Sequence, residues 1–130
     1  MSLISITRRS GLEFAVQLRN HEFTSDMSEA DGGQDKGPSP SELLVGSLGV
    51  CIAMMAQLYC DRHGYKDGEV SASMTYELAA DPIRIGAITI DLEIPKDVPD
   101  EKKAAIRRIA EACPVHRTFE HPPEIDLEIL

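Results

Sequence analysis

Apolar and polar residues alternate from Ile4 to Leu18, which predicts two half-buried antiparallel strands: Ile4 and Ile6 on the first, Phe14, Val16 and Leu18 on the second, with Ser10-Gly11 as the break. His21 and Phe23 continue the pattern into a third strand. From Thr24 to Ser41 the alternation stops and Gly, Pro, Ser and Asp take over, notably in Asp31-Gly32-Gly33 and Gly37-Pro38-Ser39-Pro40, so a long surface loop is expected. Pro40 then falls at the favoured first position of a helix, with Ser39 as its cap and Glu42 in the first turn, where exposed amides favour negative charge. The helix is expected to run to His63, where Gly64 stops it. Leu44, Leu48, Cys51, Met55 and Leu58 share one broad face and Leu43, Val50, Met54 and Cys60 populate others, a pattern suited to enclosure on most sides, by the chain itself or by a second subunit.

Strand parity returns in Val70, Ala72, Met74, Tyr76 and Leu78 and again in Ile88, Ile90, Leu92 and Ile94, with Ala80-Asp81-Pro82 between them, which predicts a hairpin. Asp97 to Pro99 should open a second long helix, acidic in its first turn at Asp100 and Glu101, with Ala105, Ile109 and Cys113 stacked on one face. Pro114 ends that helix and can start a short one with Cys113 as its cap. Ile125, Leu127 and Ile129 alternate as a closing strand. The sum is an α+β protein, one domain over residues 1–130, with strands before and after a long central helix.

Charge narrows the partners. Thirteen Lys and Arg against 22 Asp and Glu give a net charge of −9, a field that repels phosphates and anionic lipid, so no nucleic acid is expected. The uncharged stretch Leu43 to Cys60 is roughly as long as a membrane span. Gly46, Ser47, Gly49, Gln57 and two cysteines dilute it, however, and its flanks lack a basic bias, so no membrane is expected either. Three cysteines without tight spacing do not make a secreted disulfide framework, and the N-terminus has no signal-peptide pattern. A reducing cytoplasmic setting fits.

The chemistry rests with the thiols. Free cysteine is among the most buried residue types and often only packs, whereas a redox thiol needs a second sulfur within reach. Cys51 lies some three turns into its helix, too deep to gain from the helix dipole, so reactivity there requires a hydrogen bond or a nearby cation from among Arg8, Arg9 and Arg19. Cys113 could instead receive amides of the short helix that begins at Pro114, and His116 is a second possible donor. Cys60 sits on a different turn from Cys51 and reads as packing. Cys51, Cys60, Cys113, His63 and His116 include no close-spaced ligand pair, so no metal and no cofactor are expected, and a lone His after Cys-Pro does not define a hydrolase.

Gly32-Gly33-Gln34-Asp35-Lys36-Gly37-Pro38-Ser39-Pro40-Ser41-Glu42-Leu43-Leu44, followed by Gly49-Val50-Cys51 and later by Cys113-Pro114-Val115-His116-Arg117-Thr118, resembles the OsmC/Ohr family of osmotically inducible and organic-hydroperoxide-resistance proteins. The resemblance extends from about Arg9 to the C-terminus. It implies the OsmC-like fold, an intertwined homodimer with curved antiparallel sheets around paired central helices. It also implies a cysteine-based peroxidase in which Cys51 attacks an organic hydroperoxide, Cys113 resolves the product to a disulfide, and an external dithiol, typically lipoyl-bearing, reduces it. Family peroxidases place a glutamate directly after the helix-start proline to hold an arginine against the thiolate. Here Ser41 takes that place and the carboxylate follows at Glu42, rotated about a hundred degrees around the axis. Glu42 and Arg9 are the candidates for the activating pair. The alternative reading is a non-catalytic dimer that binds a small apolar ligand.

Overall fold

The alternation at the start of the chain becomes a three-stranded antiparallel sheet in the computed structural model, which describes residues 2–130. Strands β1 (Ile4–Ser10), β2 (Glu13–Leu18) and β3 (His21–Ser25) lie in sequence order. Ile6 pairs with Val16, and Val16 with Phe23, so the period-two pattern keeps these apolar side chains on one face. All of β1 is exposed.

The polar stretch after β3 is more ordered than its composition predicts. Asp26 is only 2% exposed, and its carboxylate accepts the amides of Met27, Gln34 and Lys36 at 2.8, 3.2 and 3.2 Å. Burial works against its charge, but these three donors and the Lys36 ammonium hold the carboxyl below its ordinary range. The loop closes so tightly around this centre that a Cβ on Gly33 would strike the Met27 carbonyl, and one on Gly37 the Thr24 carbonyl.

Helix α1 (Pro40–His63) starts and stops where the sequence predicts. Ser39 Oγ accepts the Glu42 amide at 3.2 Å and Glu42 Oε1 accepts the Ser39 amide at 2.9 Å, a reciprocal cap that holds the Glu42 carboxyl below its usual range, the Ser39 amide first and its hydroxyl second. Gly64 ends the helix at φ 74°. The chain divides into two compact units, one reaching Leu44 and the other spanning Val45–Leu130.

In the second unit β4 (Ser71–Ala79) and β5 (Arg84–Glu93) form the expected hairpin, with Met74 opposite Ile90 and Tyr76 opposite Ile88. The buried stripe of α1 is Val45, Leu48, Gly49, Ile52, Ala56, Tyr59 and Cys60, and a Cβ on Gly49 would meet the Met74 sulfur, so helix and hairpin approach closely. This corrects the expected face. Leu44 and Leu58 are exposed, as are Val50 and Met54, because a helix apolar on every side carries no periodicity to choose which side is covered. By length and hydropathy α1 could cross a membrane, but its buried stripe packs against protein.

Two further expectations are corrected. In place of a long helix from Asp97, a 3₁₀ turn at Asp100–Lys102 leads into α2 (Lys103–Glu111), which buries Ile106 and Ala110 with Ala105 and Ile109 beside them. Cys113 is extended, as the residue before a proline prefers, and α3 (Pro114–Glu120) follows. No strand forms at Ile125, Leu127 and Ile129, whose side chains are exposed. A strand needs a neighbour for its amides and carbonyls, and among the described residues none pairs with this segment.

Asp97 ties the loop after α1 to the segment before α2 by accepting the amides of Lys66 and Asp67 at 3.0 and 3.1 Å. The Lys66 amide is the main cause of a carboxyl held below its ordinary value. A depressed folded-state pKa adds stability that is fully present above the unfolded value of about 4 and is lost as pH falls through the folded one. Asp97→Asn should therefore lower the thermal midpoint at neutral pH, and the gap to wild type should close in acid. A gap that stays constant down to about pH 2 would show that the charge is not used.

Candidate active site

Cys113 is held by three parts of the second unit. The proline that follows it fixes its extended backbone, α2 ends just before it, and the first turn of α3 supplies a donor: the His116 amide donates to Cys113 Sγ at 3.3 Å. The sulfur is 0% exposed among Leu48, Ile52 and Ala110, with Cys51, Met55 and Val115 packed against the same cluster. Cys51 and Cys113 are both free thiols, and Cys51 packs against the cluster that buries Cys113. Burial pushes the Cys113 thiol up; the His116 amide opposes this, and the neighbouring Cys51 adds to it.

Cys60 differs. It is 0% exposed, and burial first, then the charges of Asp61 and Asp97, push its thiol up. It packs with Ala56, Tyr59, Val98 and Ile106, as the packing assignment requires.

An apolar cavity of about 440 Å³ shares Leu48 and Ile52 of α1 with the cysteine cluster; Ile85, Ile88 and Ile90 of β5 and Phe119 of α3 complete its apolar wall, Glu111 and His116 are its ionisable side chains, and neither Cys51 nor Cys113 lines it. The His116 ring faces its own anchor, Nδ1 lying 2.7 Å from the Glu111 carbonyl, so it is the backbone of this residue and not its ring that reaches Cys113. Along α1 near Cys51, Leu48 lines the cavity, Met55 packs on the cluster and Met54 is exposed.

The other two candidates belong to the first unit. Arg9 Nη2 pairs with Glu22 Oε1 at 2.7 Å, and the Glu42 carboxylate is occupied by the Ser39 amide. They do not pair with each other. No sequence signal pointed to the cavity wall on β5, although the alternation of Ile88 and Ile90 was visible and its direction follows once α1 is seen to cover that face.

Residues 33–128 match the family model described as OsmC-like protein. The chain belongs to this family. OsmC-like folds are also what the structural comparison returns. A crystal structure of a putative osmotic stress induced and detoxification response protein from Psychrobacter arcticus is similar at a TM-score of 0.82 and 22% identity, over 91% of this chain and 88% of that one. An OsmC-like protein from Mycoplasma pneumoniae gives 0.74 and 18%, over 94% and 89%. An organic hydroperoxide resistance protein OsmC from Legionella pneumophila gives 0.71 and 16%, over 92% and 88%. No curated protein sequence matches significantly. At these identities the neighbours establish the α+β fold, with its antiparallel sheets and long helix, as OsmC-like.

Proposed function

We propose that this protein is a cysteine-based peroxidase for organic hydroperoxides, and the observation that carries the reading is that the free thiol Cys51 packs against the cluster burying the free thiol Cys113, whose Leu48 and Ile52 also line an apolar cavity. Cys51, as thiolate, attacks the outer oxygen of the hydroperoxide: an S–O bond forms, the O–O bond breaks, and the inner oxygen leaves as an alcohol once protonated. Sulfur is oxidised by two electrons to the sulfenic acid. Cys113 then attacks Cys51 sulfur, expelling water and closing a disulfide, which an external dithiol, such as a lipoyl group, reduces by exchange. Isoleucines and Phe119 along the cavity favour a hydroperoxide with an organic group over hydrogen peroxide. Arg9 pairs with Glu22 and the Glu42 carboxylate with the Ser39 amide, so the scheme assigns no activating role to either.

The test is peptide mapping after one equivalent of cumene hydroperoxide. A Cys51–Cys113 disulfide with Cys60 still reduced is the expected product. If both thiols remain alkylatable, the protein is instead a binder of small apolar ligands, which the same cavity would suit.

The working unit is proposed to be a homodimer. Val50, Met54 and Leu58 leave an apolar stripe exposed on α1, and the alternating segment Ile125, Leu127 and Ile129 has the pattern of a strand whose partner is outside its own chain. A second copy supplies both missing surfaces. The conditions suited to free thiols are those of the cytoplasm.

A further inference from the structure

We propose that Ile85 sets which organic groups the cavity admits, and that a bulge at Gly86 is what turns it there. The inference rests on the peroxidase reading above and names the residue that makes the reaction selective for the size of the hydroperoxide.

Strand register carries it. Along β5, Ala87 pairs with Glu77 and Ile85 with Leu78, so Gly86 is an extra residue without a partner on β4. Successive side chains of a strand point to opposite faces, so an unbroken pairing would put Arg84 and Gly86 on the face of Ile88 and Ile90 and turn Ile85 away. The bulge moves the frame by one. Leu78 shares a face with Tyr76 and Met74, and Ile85, opposite Leu78, therefore joins Ile88 and Ile90. All three isoleucines line the cavity, and Arg84 does not. Its guanidinium is held at the turn instead, Nη1 donating to the carbonyls of Ala80 and Pro82 at 3.1 and 2.9 Å. A cation is thus exchanged for a branched apolar side chain at the turn end of the wall.

Two further observations single out these residues. A Cβ on Gly86 would stand 2.6 Å from the Ala79 Cβ, nearer than carbon atoms pack, so the bulge requires glycine at this position. Ile88 and Ile90 pack on the cluster that holds the cysteines, whereas Ile85 belongs to neither core cluster and only lines the cavity. Its size can therefore change the room offered to a ligand without disturbing the packing around Cys51 and Cys113.

The experiment measures the second-order rate constants of the reduced protein with tert-butyl, cumyl and 1,1-diphenylethyl hydroperoxides. Ile85→Ala should raise the rate for the diphenylethyl compound about tenfold relative to tert-butyl hydroperoxide, and Ile85→Phe should lower that ratio by as much. Ile83→Ala, whose side chain is 83% exposed and outside the lining, should keep the wild-type ratio. A ratio unmoved in both Ile85 variants would overturn the proposal and leave the peroxidase reading intact. Binding is read separately, by titrating protein labelled at its isoleucine methyls with 2-phenyl-2-propanol. The Ile85 methyl should shift with those of Ile88 and Ile90 while Ile83 stays still, and an unmoved Ile85 would also overturn the proposal. If wild type consumes no hydroperoxide although the Ile85 methyl shifts, the peroxidase reading falls, and the same ratio taken from the affinities of the three corresponding alcohols decides the role of Ile85.

Discussion

Cys51→Ser is expected to lower the consumption of organic hydroperoxide in the presence of a dithiol by at least about a thousandfold, to the background of the dithiol itself. A hydroxyl has almost no anion at neutral pH, and oxygen cannot be taken through the sulfenic acid and disulfide stages that turnover requires. The fold should survive, because Cys51 is only partly buried and serine is close to it in volume. Circular dichroism and thermal midpoints near wild type would therefore accompany the loss. Unchanged consumption in Cys51→Ser would remove this residue from the chemistry, whatever the behaviour of Cys113.

Met54→Glu should disassemble the protein. The side chain is 61% exposed on α1, in line with Val50 and Leu58, so a charge there costs nothing within one chain. Within an apolar contact between two helices it is desolvated in each copy, a penalty of several kcal/mol. About 4 kcal/mol is already a thousandfold in dissociation constant. Sedimentation equilibrium should give twice the 14.3 kDa chain mass for wild type and a concentration-dependent shift to the single mass for the variant. If the monomer is unstable, precipitation of the variant with wild type dimeric carries the same meaning. Wild type at 14.3 kDa across the micromolar range would end the dimer proposal.

What could be read in the sequence follows from what each element needs. Strands β1 to β5 were legible because their apolar alternation is local and each finds its partner within a hairpin. The ends of α1 were legible because Ser39, Glu42 and Gly64 act within one turn. The buried face of α1 was not, since Leu44 and Leu48 look alike in a helix with no polar side, and only packing separates them. Residues 122–130 failed for the opposite reason: the alternation is there, but a strand is a property of two segments. Asp26 was invisible because nothing in a Ser-Asp-Met sequence announces that three amides from eight to ten positions downstream, and from its own neighbour, converge on one carboxylate.

The site divides in the same way. The cap formed by Cys113 ahead of Pro114 is a local rule and was read directly. That Cys51 packs against the cluster burying it came only through the family resemblance, since no spacing rule relates two residues so far apart. The candidate activating pair was read less directly: Glu42 stands one step from the family's glutamate position and Arg9 is one of several arginines that no spacing rule selects, and in the fold they meet Ser39 and Glu22.

Cys60 decides how cleanly such chemistry could run. It stands nine residues beyond Cys51, roughly 14 Å along the axis of a rigid helix, and is sealed from solvent. A Cys51–Cys60 bridge is thereby excluded by distance, and irreversible damage to the spare sulfur would have to wait for unfolding. On the proposed chemistry, an odd number of cysteines would behave as one matched couple and a bystander.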